Sequence, residues 1–60
     1  MTRFNVYRWD VDGRPVRLWS GDAPDTHDAI HEAAEANPDI RKLEMFAREA
    51  TNDPYAERAA

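Results

Sequence analysis

Sixty residues with no cysteine and a formal net charge of −4 describe one small acidic domain without disulfides or thiolate metal sites. Ten of its apolar residues are alanine, and a chain this short buries only roughly 60% of the surface it exposes when unfolded. Its apolar runs fall short of the roughly 20 residues of a membrane helix, and no basic-then-apolar leader opens it; the expectation is a cytoplasmic protein, and not a multidomain enzyme, a membrane protein or a zinc ribbon.

The first predicted element is a hairpin. Arg3–Trp9 is rich in aromatic and β-branched residues, Pro15–Ser20 alternates, and Asp10-Val11-Asp12-Gly13-Arg14 joins them. Asp12-Gly13 is a strong turn signal because glycine takes φ > 0 without a steric penalty. Pro15 cannot donate to a ladder, so it belongs at the start of an edge strand. Gly21-Asp22-Ala23-Pro24 then breaks the pattern. A helix is predicted over Thr26–Ala36, capped by Asp25 or Thr26, with Asp28 in its first turn. Its stripe of Thr26, Ala29, Ile30, Ala33 and Asn37 is narrow and small, as suits a helix lying close on a sheet.

Asn37-Pro38-Asp39 can end this helix or begin another. Residues 40–49 read as a strand with Leu43, Met45 and Ala47 on one face, or as a helix with a stripe of Ile40, Leu43, Phe46 or Ala47, and Ala50. We favour the strand, since a lone hairpin is marginal in water and a third strand gives the helix a sheet to cover. The predicted fold is α+β: a three-stranded antiparallel sheet, ββαβ in order 2-1-3, with one helix on one face. The alternative is a hairpin plus two helices, ββαα. The expected core is Phe4, Val6, Val16, Leu18, Ile30, Ala33, Leu43 and Met45. Residues 1–50 form the domain, and 51–60 a polar tail in which Pro54 opens a frayed turn.

Few residues suggest chemistry. His27 and His31 stand at i, i+4 with Glu35 in the same row, a partial zinc set, but no third ligand comes from another element. Ser20 is the only serine and lacks a glycine-flanked elbow. Two glycines make no phosphate loop. We expect neither an enzyme nor a metal or cofactor.

Charge is distributed unevenly. Residues 1–20 carry +2, residues 21–40 carry −6 with no lysine or arginine, and residues 41–60 balance. Asp28, Glu32, Glu35 and Asp39 fall at i, i+4, i+7 and i+11, a row of roughly 16 Å on one helical face, with Asp22 and Asp25 extending it. Such a row is either a solvated, solubilising face or an imitation of duplex phosphates that a basic groove receives. The predicted far face of the sheet gathers Tyr7, Trp9, Trp19 and Phe46 beside Arg17, Lys42 and Arg48. It reads as a protein or self-interface, as a single-strand platform that the net charge disfavours, or as a surface that the tail covers, with Tyr55 over Trp9 and Trp19.

The short cysteine-free length, the hairpin at Asp10-Val11-Asp12-Gly13, the acidic Asp22–Asp39 block and one sheet-helix unit resemble small acidic phage-encoded anti-CRISPR proteins, type I-C inhibitors in particular. The resemblance implies binding to a Cas subunit of a type I effector complex and blocking of target DNA recruitment. The expected function is therefore inhibition of a basic, nucleic-acid-binding protein. Asp22, Asp25, Asp28, Glu32, Glu35 and Asp39 would supply charge, and Trp9, Trp19 and Phe46 a packed hot spot. No direct nucleic acid or membrane contact is expected, and the chain is a monomer or a homodimer. The alternative is a homodimeric or accessory module joined through the aromatic sheet face.

Overall fold

A computed structural model describes residues 1–57. Strands β1 (Thr2–Trp9), β2 (Pro15–Ala23) and β3 (Met45–Glu49) form an antiparallel sheet in the order β2-β1-β3. Helix α1 (Thr26–Ala36) packs on it, giving the α+β arrangement with a strand, not a second helix, after Pro38. The turn between β1 and β2 closes by the Asp10 amide donating to the Arg14 carbonyl at 2.8 Å and the Gly13 amide to the Asp10 carbonyl at 2.9 Å. Gly13 sits at φ +78°, where a Cβ would be strained.

Strand β2 runs three residues past the predicted end at Ser20, because Gly21 pairs with Phe4 and Ala23 with Thr2. The glycine there serves packing. A Cβ at Gly21 would lie 2.7 Å from Cζ2 of Trp19, so only glycine lets the indole lie flat over the strand. Gly21→Ala is expected to cost about 1–2 kcal/mol by pushing the ring aside, read as a lower urea midpoint at unchanged m-value.

A β-bulge divides the β1–β2 ladder: Val6 pairs with Trp19 and Tyr7 with Arg17, leaving Leu18 as the extra residue. The bulge resets the alternation, and Leu18 and Trp19 both pack against the helix-side core. Trp19 therefore does not join Trp9 on the opposite face, which corrects the reading from strict alternation.

The core consists of Phe4, Val6, Ala23, Ala29, Ala33, Met45 and Ala47, flanked by Leu18, Trp19, Ile30, Ala34 and Ile40. Ala29 and Ala33 are fully buried, since methyl-sized contacts let the helix axis approach the sheet. Burial of Phe4, Val6 and Met45 contributes about 1.5–3 kcal/mol each. Val16 is only half-buried. Leu43, expected in the core, is 78% exposed. The strand begins later than predicted because Lys42–Glu44 forms a 3₁₀ turn, with the Glu44 amide bonded to the Arg41 carbonyl, that swings Leu43 outward. Ile40 packs in its place.

Asn37 ends α1. Its amide and its Nδ2 both donate to the Ala33 carbonyl, at 3.0 and 2.9 Å, and Nδ2 also reaches the Leu18 carbonyl at 3.3 Å. One side chain thus caps the helix and fastens it to the bulge. Residues 50–57 do not trail as a tail. Ala50–Asn52 makes a second 3₁₀ turn, and Asp53 and Tyr55 return to the sheet face opposite α1. The compact unit therefore extends beyond residue 50, and residues 58–60 lie outside the described chain.

Candidate interaction site

Helix α1 turns Ala29 and Ala33 toward the sheet, which sends Asp28, His31, Glu32 and Glu35 into solvent. Asp25 caps the helix, accepting the Asp28 amide at 2.9 Å, and its charge complements the positive helix end. The predicted row is cut short: α1 ends at Ala36, and Asp39 lies in the following turn rather than on the helical face. Asp28, Glu32 and Glu35 remain as the row, about 10 Å long. Asp22 stands opposite Arg3 in the β1–β2 ladder. Near the start of α1 a groove of about 360 Å³ is lined by Met1, Asp22, Pro24, Asp28, His31 and Glu32, among others.

Basic groups barely enter this surface. Among the described residues the close contacts of acidic with basic side chains are His31 Nε2–Glu35, at 3.0 Å, and the ion pair Arg41–Glu44, at 3.4 Å. Asp22, Asp28, Glu32 and Asp39 therefore have no cationic partner there. Lys42, expected beside the aromatic face, sits instead in the 3₁₀ turn and places its Nζ 3.0 Å from Nδ1 of His31. The lysine donates, so His31 accepts through Nδ1 and faces Glu35 through Nε2, as a neutral ring would. Among the described residues no group of three His, Asp or Glu converges as a metal site, and His27 stands exposed in the first turn.

The opposite sheet face carries a second constellation. Tyr7, fully buried on the central strand, stacks on Phe46 at 5.6 Å, and Phe46 stacks on Trp9 at 5.0 Å. Tyr55 sets its ring edgewise against Tyr7, Trp9 and Phe46, at 6.0, 5.4 and 5.3 Å. The Arg48 guanidinium lies over Phe46 and Tyr55, at 5.4 and 5.5 Å. Phe46 is half-buried beneath this cover, while Trp9 remains 48% exposed. Of the three aromatics expected to form a hot spot, only Trp9 thus offers much free surface.

Asp53 anchors that cover. Its Oδ2 accepts from Nδ2 of Asn5 at 2.8 Å and from the Tyr7 hydroxyl, and its Oδ1 accepts the Tyr55 amide at 2.8 Å. Ser20 donates to Oδ1 of Asn5 at 2.7 Å, fixing the amide so that its nitrogen faces Asp53; the only serine is therefore a structural donor. Burial alone pushes the Asp53 carboxyl up, but the hydrogen bonds from Tyr7, Asn5 and the Tyr55 amide, with the charge of Arg48, hold it below the usual range. Burial, then the bond to Asp53 and its negative charge, push the Tyr7 hydroxyl up to about 12. Sequence reasoning passed over Asn5 and Asp53. The available signal was a polar Asn5 set between Phe4 and Val6 in the middle of the strand, which needs a partner once buried.

Comparison with protein-family models, with curated proteins and with solved structures finds no match to this chain.

Proposed function

We propose that this protein is a non-enzymatic inhibitor that binds a basic, DNA-handling surface of a host-defence protein, a Cas subunit of a type I CRISPR effector complex, by acidic mimicry of DNA. The observation that carries the reading is the solvent face of α1, where Asp28 and Glu32 stand exposed without a cationic partner among the described residues. Like charges at i, i+4 cost an isolated helix a few tenths of a kcal/mol, and a receiving basic surface gives that cost a use. Asp22, Asp25, Glu35 and Asp39 extend the acidic region, and Trp9 offers the free aromatic surface. Phe46 supports Trp9 from beneath, and Trp19 contributes through the core. Carboxylates of this kind act mainly on association rate and salt dependence.

The test mixes the purified chain with a type I effector complex and labelled target duplex. Loss of duplex binding as the chain is added supports the proposal. Unchanged duplex binding at saturating chain overturns the CRISPR assignment.

A further inference from the structure

His31 joins α1 to the 3₁₀ turn that precedes β3. Its Nδ1 lies 3.0 Å from Nζ of Lys42, and its Nε2 lies 3.0 Å from Oε1 of Glu35, one helical turn on. Among the described residues the lysine contact is the side-chain hydrogen bond that ties α1 to Lys42–Glu44, for Arg41 bonds Glu44 within its own turn. The two contacts of His31 depend on its proton in opposite ways. An ammonium group only donates, so Lys42 needs a lone pair at Nδ1, which the neutral ring with its proton on Nε2 offers. A proton arriving at Nδ1 removes that lone pair and sets two cations against each other. The bond to Glu35 survives the same event and becomes charge-assisted on both sides. Protonation therefore keeps the ring on Glu35 and expels the lysine.

Other charged groups surround the ring. Asp22, Asp28, Glu32 and the terminal Met1 line the groove with it, His27 precedes it by one helical turn, and Arg41 and Glu44 flank Lys42. They bear on how readily the ring takes its proton, but Nδ1 itself faces Lys42. We propose that His31 is a pH-operated latch, closed on Lys42 when neutral and released when protonated, within the range of about pH 5–8 where histidine changes charge. The release is local. Ile40 still packs against the core, and the Glu44 amide still bonds the Arg41 carbonyl. The sheet stays intact while Lys42, with the exposed Leu43 beside it, gains freedom. This inference stands apart from the proposed partner of the acidic face and does not depend on it.

The test is NMR on the full-length chain between about pH 8 and about pH 5. Nuclear Overhauser cross-peaks between the His31 ring and the Lys42 side-chain methylenes are expected at the upper end and should lose most of their intensity at the lower. The ring protons of His31 record its protonation in the same samples, and unmoved amide signals of Val6 and Ala47 show that the fold is kept. His31→Gln supplies an oxygen that accepts from Lys42 at either pH. The amide shifts of Lys42 and Leu43 that follow the titration in the original chain should therefore flatten in that variant and persist in His27→Gln. Cross-peaks missing at the upper pH, or equally strong at both, overturn the proposal. So do Lys42 and Leu43 shifts that persist at full size in His31→Gln.

Discussion

Reversing two charges on α1, Glu32→Lys with Glu35→Lys, is expected to weaken binding to the proposed basic partner by about ten- to a hundredfold while leaving stability equal or slightly higher. The two effects separate because they have different origins. The first substitution sets a lysine against Asp28 at i, i+4, replacing repulsion by attraction worth about 0.3–0.5 kcal/mol. The second places a cation in the last turn, which now has no basic residue and where the helix dipole favours positive charge. It gives up the His31–Glu35 pair, but both side chains are at least half exposed, and such pairs contribute little. Thermal melting and titration against the effector complex check the two halves. A binding loss accompanied by unfolding would not count in favour of the acidic face.

Asp53→Ala is expected to be the most damaging single change on the other face, costing on the order of 2–3 kcal/mol because the buried Asn5 and Tyr7 donors are left unpaired. For a domain of this size that lowers the melting midpoint by roughly 10–20 °C. Tyr7→Phe removes the donor itself and should cost less. In the Asp53→Ala background it should cost less again, since the hydroxyl then has nothing to bond; equal costs in both backgrounds would contradict the contact.

The same pair predicts a pH profile. The lowered Asp53 carboxyl contributes stability that is present above the unfolded value near 3.8 and is lost as the pH falls through the lower folded value. For Tyr7 the unfolded chain ionises near pH 10 and the folded one near 12, so its contribution is intact below pH 10 and falls away between 10 and 12. Urea midpoints across that alkaline window should drop in the original chain, with the Tyr7 share of the drop missing in Tyr7→Phe.

The hairpin and α1 were legible because their determinants are local. Gly13 takes its φ from the turn alone, and the Asp25 cap lies three residues from the amide it accepts. The bulge was not legible, because Leu18 becomes the extra residue only through the register that β2 adopts against β1. That single insertion moved Trp19 to the core face. Leu43 was misplaced for a related reason: the alternation of residues 42–47 is continuous in sequence, and the 3₁₀ turn interrupts it only in space. The acidic row lost Asp39 because Asn37 caps the helix and fastens it to Leu18, a contact across 19 positions. The Asn5–Asp53 bond spans 48 positions, beyond the reach of any periodicity, and it turns an apparent tail into part of the fold.

The most direct measurement of the central claim is the affinity of the chain for the effector complex across a salt series. Recognition through exposed carboxylates predicts affinity that falls steeply as salt rises, with a shallower dependence in the Glu32→Lys, Glu35→Lys variant. Affinity indifferent to salt, or equally steep in both chains, would contradict it and leave α1 as a solvated surface.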